Sequence, residues 1–312
     1  FLLRARRRQF AKTVRRCYSI CKRGMEMNKA LRVAAIHDLS GFGRCSLSVI
    51  LPILSVMGVQ AVPVPTAVLS THTGGLGDVC MRDLTDFLSP CLNHYQQLGL
   101  SFDCIYSGFL NSPEQVGHCL EFLDAYPHAL KVVDPVMGDH GKAYKSCNPA
   151  LQSRMKELVR AADLITPNRT EACFLLDRPA DLSPLTASQA KSMLLRLSEL
   201  GPKYVVITGA ETVGGVLATL GYDRDNNRFW QVKSRYIPAS YPGTGDICAA
   251  VIVGSMLSGD SLPIAIARAS RFADLTIQTT FGYNTDPRYG VMLERCLPWL
   301  MTAQILQDYE LL

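Results

Sequence analysis

From Leu31 onward the chain alternates short runs rich in β-branched residues with longer helical ones. That alternation narrows the available folds more than any other feature. LRVAAI reads as a strand, and SLSVILPILSVMG as a helix bent or restarted at Pro52. QAVPVPTAVLS follows as a proline-punctuated, peripheral strand, and then a helix from Asp83 to Leu98. FDCIYSG, ALKVVDP, DLITP and KYVVITG read as further strands. Between them lie SPEQVGHCLEFLDAY, capped by Ser112, and NPALQSRMKELVRAA, with proline in its first turn, then NRTEACFLL and SQAKSMLLRLSELG. GGVLATLGYDRDNNRFWQVKSRYI breaks the rhythm and reads as a β-hairpin. The run after YPGTGD, then LPIAIARASRFADLTIQTT and a C-terminal segment, are the last helices. A βαβα series of this kind implies an α/β fold, a mostly parallel central sheet with helices on both faces. No internal repeat or linker divides it, so a single domain over residues 28–312 is expected.

With 312 residues, 48% of them hydrophobic and 19% charged, the chain can bury a sizeable core. No apolar run reaches the ~20 residues of a membrane-spanning helix. The eleven cysteines are scattered without a Cys-x-x-Cys pair, which implies reduced, mostly buried thiols of a cytoplasmic protein. The net charge of +5 is misleading. Residues 1–27 hold nine Lys/Arg and one Glu; the remainder has 23 basic and 26 acidic residues, a net −3. The basic character therefore belongs to a tail, read here as a disordered extension, with a phosphate-gripping arm or a targeting peptide as the alternatives.

In a parallel sheet, ligands bind beyond the C-terminal strand ends, so polar residues there carry the most information. IHDLSGFG ends the first strand, and VVDPVMGDHG offers Asp134 and Asp139. ITPNRTEA offers Asn168 and Glu171, and VITGAE ends with Thr208 and Gly209. YPGTGD places Gly243, Thr244, Gly245 and Asp246 at the start of an apolar helix. Each has an ordinary reading as well: Gly-Thr-Gly-Asp as helix capping, Asp134 as a strand end, Asn168 with Glu171 as a capping box. Together they supply the parts of a phosphoryl-transfer site: backbone N–H groups for phosphate, carboxylates for Mg²⁺, and a base for the acceptor hydroxyl.

LSTHTGG, YSGFLNS, DPVMGD, ITPNRTEA and GTGD together resemble the pyridoxal (pyridoxamine) kinase family of the ribokinase superfamily, over a stretch from Leu31 to Gly282. The Gly-Gly signature of a sugar kinase is missing. So is the GSDSSGGAG type of segment of a hydroxymethylpyrimidine kinase, of which LSGFG is a distant echo. The resemblance implies a ribokinase-like three-layer sandwich. It implies Asp246 as the base and Gly243, Thr244 and Gly245 as an anion hole. It implies Asp134, Asp139 and Glu171 around Mg²⁺ and the triphosphate, with Thr166, Asn168, Thr208 and Gly209 lining the ATP site. On the substrate side it implies Thr73, His72, Phe109 and Tyr144, with Asp38 standing where the family has a ring-contacting serine. A homodimer, and in some members a monovalent cation such as K⁺, are implied as well. The expected activity is phosphorylation of the 5′-hydroxymethyl group of pyridoxal, pyridoxamine or pyridoxine. A kinase for hydroxymethylpyrimidine or another small alcohol, a non-catalytic vitamer or nucleotide sensor, and a nucleic-acid binder acting through the tail are the alternatives.

Overall fold

In β1 (Leu31–Phe42) the residues Val33, Ala34, Ala35 and Ile36 are all fully buried. A strand buried on both faces is what a central position in a helix-covered parallel sheet requires. The computed structural model describes residues 30–302, 306 and 308–312, and Arg32–Leu312 form one compact unit. The basic extension expected at residues 1–27 lies outside the described residues.

Eleven further strands follow: β2 (Val59–Thr71), β3 (Met81–Asp83), β4 (Cys104–Ser107), β5 (Leu130–Val133), β6 (Gly138–Asp139), β7 (Lys142–Ala143), β8 (Leu164–Ile165), β9 (Tyr204–Thr212), β10 (Val216–Asp223), β11 (Arg228–Lys233) and β12 (Tyr309–Leu311). Ten of the described strands form one sheet in the order β12-β11-β10-β9-β8-β5-β4-β1-β2-β3. Its centre, β1-β4-β5-β8-β9, is parallel, and β9 to β12 run antiparallel. The hairpin read from the sequence is β10–β11. The outer edge of β2 is paired with β3 only from Ala67 to Leu69. Pro63 and Pro65 therefore sit where no outer partner asks for their missing N–H. The strands β3, β6, β7 and β12 were not foreseen, because two or three residues carry no periodic signal.

The helices are α1 (Leu47–Val56), α2 (Thr85–Gln97), α3 (Pro113–Ala125), α4 (Pro149–Arg160), α5 (Arg169–Leu175), α6 (Ala187–Ser198), α7 (Thr244–Leu257), α8 (Leu262–Gly282) and α9 (Leu293–Leu300). Alternation along β1 sorts them into two layers. Ala34 and Ile36 join a core with Leu88, Phe122, Met155, Ala172 and Leu194, from α2 to α6. Val33 and Ala35 belong to the other face, where α7 packs on α1 and α8, and α8 on α9. Each fully buried Leu, Ile or Phe contributes ~1.5–3 kcal/mol, so either layer alone outweighs any single polar contact at the sheet's end. The nine described cysteines are free thiols, and seven of them are buried. Among the described residues no helix is long and apolar enough to cross a membrane.

The register decides which side chains meet. Ile36 lies beside Ser107, Ser107 beside Val133, and Val133 beside Ile165. One residue further on, the N–H groups of Gly108, Asp134 and Thr166 bond to Ile36, Ser107 and Val133 respectively. His37, Gly108, Asp134 and Thr166 are thereby the row at the C-terminal edge of the sheet.

Candidate active site

That row is buried and polar. His37 is 2% exposed, Asp134 6% and Thr166 3%. Burial, and then the carboxylate of Asp246, pushes the Asp134 pKa up to about 7, against the pull of His37 and of the nearby Thr166 hydroxyl. The hydroxyls of Tyr106 and Ser107, in and at the end of β4, are buried without a hydrogen-bond partner. A buried carboxylate beside unpartnered hydroxyls is donor chemistry that suits a hydrated cation.

The helix α7 points its N-terminus at this row. Its residues Ile247 to Ser255 are all buried, as an apolar helix inside a layer must be. Gly243 precedes it with φ 81°, and a Cβ there would run into the carbonyl of Arg44. Only glycine fits. The Thr244 hydroxyl donates to the Tyr241 carbonyl at 3.2 Å. Nothing lies within 4 Å of where a Cβ on Gly245 would sit. The first N–H groups of a helix have no intrahelical acceptor and carry the positive end of the dipole, so this opening suits an anion.

Asp246 stands in that first turn, 7% exposed. Its Oδ2 accepts from the N–H of Ser46 at 2.7 Å and from Sγ of Cys45 at 3.3 Å. Its Oδ1 lies 3.1 Å from Nε2 of His37. Ser46 holds φ 58°, ψ −140°, a conformation that strains a residue with a Cβ by roughly 1–3 kcal/mol. That strain sits where the backbone reaches the carboxylate.

Asp38 turns to its neighbours in the chain. Its Oδ1 lies 2.8 Å from Nδ1 of His37, and its Oδ2 accepts from the Ser40 hydroxyl at 2.8 Å. The residue is 4% exposed, and its carboxylate pairs with the ring that also bridges to Asp246.

A second polar group surrounds α5. The Asn168 side chain accepts from the N–H of Glu171, and Glu171 returns a bond to the N–H of Asn168, forming a capping box. The other oxygen of Glu171 accepts from the N–H of Met137 at 3.1 Å, and Asn168 Nδ2 donates to the Gly138 carbonyl at 2.8 Å. Burial, then Asp134, holds the Glu171 pKa well above the usual carboxylate range. Asp139 is exposed, and its carboxylate accepts from the N–H of His140. Among the described residues no three His, Cys, Asp or Glu side chains gather closely enough to enclose a metal. Asp134, Asp139 and Glu171 are thus not a ready three-ligand cage, because Glu171 is occupied in holding the loop after β5 and Asp139 faces solvent. Asn168→Ala removes the cap and the tie to Gly138 together. A loss of ~1–3 kcal/mol in urea unfolding is expected, and a loss below ~0.5 kcal/mol would show that the cap carries no weight.

Thr208 and Gly209 extend the edge on β9. Thr208 bridges to Asn168, and Gly209 is exposed at φ 60°. His72 is 4% exposed: its Nε2 donates to the Arg288 carbonyl at 2.6 Å and its Nδ1 accepts from the Gly74 N–H at 2.9 Å. That pattern ties the Thr73 loop to the segment before Gly290. Thr73 is exposed, Phe109 is half-buried with its carbonyl accepting from Thr66, and Tyr144 is 41% exposed.

The structure therefore joins Asp246 with Asp38 and Asp134, and sets Asn168, Glu171 and Thr208 beside them. It adds residues that were not singled out in the sequence: His37, Cys45, Ser46 and Gly108. His37 in IHD was visible as a titratable residue at a strand end. Its meeting with Asp246 depends on how α7 seats against the sheet, which no local pattern reports.

The family model of phosphomethylpyrimidine kinase matches residues 51–289. The chain is 41% identical to a candidate phosphomethylpyrimidine kinase from Bacteroides thetaiotaomicron, crystallised with pyridoxal, covering 91% of this chain and 100% of that one with a TM-score of 0.87. It is 32% identical to pyridoxal kinase from Lactobacillus plantarum, covering 87% and 96% of the two chains with a TM-score of 0.80. It is 29% identical over 79% of its length to the thiamine biosynthetic bifunctional enzyme TH1 of Arabidopsis thaliana, of which it spans 46%. With a buried carboxylate at a glycine-opened helix start and a model match over most of its length, this chain belongs to the phosphomethylpyrimidine kinase family, whose fold it shares with pyridoxal kinases.

Proposed function

We propose that the chain is an ATP-dependent kinase that phosphorylates the 5′-hydroxymethyl group of pyridoxal, pyridoxamine or pyridoxine. The observation that carries this reading is Asp246, ionisable and buried, in the first turn of a helix whose opening is clear of side chains. The vitamer class is supported by likeness to the pyridoxal-bound structure and to pyridoxal kinase.

In this reading Asp246 takes the hydroxyl proton as the oxygen attacks, a role that contributes ~10²–10⁴-fold. The N–H groups of Gly243, Thr244 and Gly245 face the oxygens of the transferring phosphoryl, and they act already oriented. Thr166, Asn168, Thr208 and Gly209 line the nucleotide. Thr73, Phe109 and Tyr144 surround the pyridine ring, with His72 holding the Thr73 loop. Asp134 and Glu171 fit a divalent ion through intervening water and phosphate oxygens, since Mg²⁺ keeps several waters and takes few carboxylates. Bound Mg²⁺ would neutralise charge on the β- and γ-phosphates. Asp139, at the rim, and a monovalent cation such as K⁺ belong to the same anionic region. The free, mostly buried thiols support a cytoplasmic setting. A homodimer belongs to the same reading.

The test is ADP release against pyridoxal, pyridoxamine, pyridoxine and hydroxymethylpyrimidine. A B₆ vitamer is expected to give the highest kcat/KM. Preference for hydroxymethylpyrimidine would move the chain to the other branch of its family.

A further inference from the structure

We infer that His37 is a positioning residue for this reaction: clamped by Asp38, it bridges to Oδ1 of Asp246 and holds the base aimed. The inference rests on the kinase reading above and adds a residue to it.

The three side chains hold one another in place, and each carboxylate oxygen keeps acceptor capacity beyond the bond it makes. Asp38 is fixed by Ser40 on one oxygen and His37 on the other. His37 spans from Asp38 at 2.8 Å to Asp246 at 3.1 Å. Asp246 is fixed on its far oxygen by the Ser46 N–H. Ionised carboxylates only accept, so a ring between two of them needs a proton on each nitrogen. The N–H of Asp38 also lies 3.0 Å from Nδ1, yet it cannot supply what the Asp38 carboxylate requires from that nitrogen. Gly108, next to His37 across the sheet, completes the clamp, because a Cβ there would overlap the imidazole ring. The neighbouring strand has kept the space that this ring fills.

Charge makes the bridge necessary. The titratable groups that face Asp246 are His37 and Asp38 from β1, Cys45 from the turn before α1, Tyr106 from β4, Asp134 after β5, Tyr144 after β7, and Cys248 from α7 itself. Of these His37 is the cation. It stands as the positive partner between the carboxylates of Asp38 and Asp246. Burial alone would lower the pKa of His37, but Asp246 and Asp38 together raise it to about 10. The balance of the step is simple. The substrate O–H bond breaks and its proton goes to Asp246; the new O–P bond forms as ADP leaves with the bridging oxygen. His37 keeps both its protons throughout.

Two measurements on the full chain test this. In ¹⁵N NMR of histidine-labelled protein, the resonances lost in His37→Gln identify the ring. Both of its nitrogens are expected to be protonated at pH 8, and Asp38→Asn is expected to lower the pH at which one proton leaves. In kinetics, His37→Gln and Asp38→Asn are each expected to lower kcat by ~10–10²-fold with KM for ATP changed less than about 3-fold. A neutral His37 ring at pH 8, or variants whose kcat stays within about 3-fold of the wild type, overturns the inference. A wild type that phosphorylates no vitamer overturns the kinase reading instead, and the NMR result still decides the state of His37.

Discussion

Asp246→Asn is expected to lower kcat by ~10²-fold or more while the dissociation constants for ATP and vitamer change by less than about 3-fold. The amide is nearly the same size, and its one oxygen can still accept from the Ser46 N–H while its NH₂ turns to His37 and gives up that bond. What it cannot do is take a proton from an alcohol. The comparison needs kcat from steady state and affinities from calorimetry on the same preparations. Near-wild-type turnover would reduce Asp246 to a helix-start residue tied to its neighbours. A loss confined to KM would make it a binding group.

Gly243→Ala should be damaging for a different reason. At φ 81° an alanine is strained by ~1–2 kcal/mol, and its Cβ would overlap the backbone carbonyl of Arg44. Backbone cannot swing aside as a side chain can, so the segment from Arg44 to Ser46 must shift. With it moves the N–H that holds Asp246. A destabilisation of ~2–4 kcal/mol and a fall in kcat of ~10–10²-fold are expected together. Gly245→Ala is the matching control. It lies inside the helix with open space around it, so stability should be retained or rise slightly. Its turnover should still fall, because a methyl group enters the space assigned to the phosphoryl oxygens. If both variants lose stability equally, the opening of α7 is a packing feature and not an anion site.

Much of this architecture could be read before any coordinates. The central strands are buried on both faces, so they appear in the sequence as unbroken apolar runs, and the helices between them carry recognisable caps at Ser112, Asn148 and Asn168. Residues at the strand ends were legible because a parallel sheet sends its C-terminal edge to one place. What escaped was set by register and layer packing. His37 touches Asp246 across 209 positions of sequence, and Gly108 makes room for it only because β4 runs beside β1. Asp38 was read as facing the substrate, and its pairing with the adjacent His37 was not visible in the sequence. Asn168 and Glu171 show that an ordinary reading and a functional one can hold at once: they cap α5, and the same cap fixes the loop that carries Gly138 and Asp139. Glu171 is then too occupied to join a three-carboxylate cage.

The most direct test of the account is to incubate the purified full chain with pyridoxal, ATP and Mg²⁺ and to follow pyridoxal 5′-phosphate by mass spectrometry. The account predicts one phosphorylated vitamer for each ADP released, at a rate that drops ~10²-fold or more in Asp246→Asn. ADP without phosphorylated vitamer, or product formed equally fast by the variant, would contradict it.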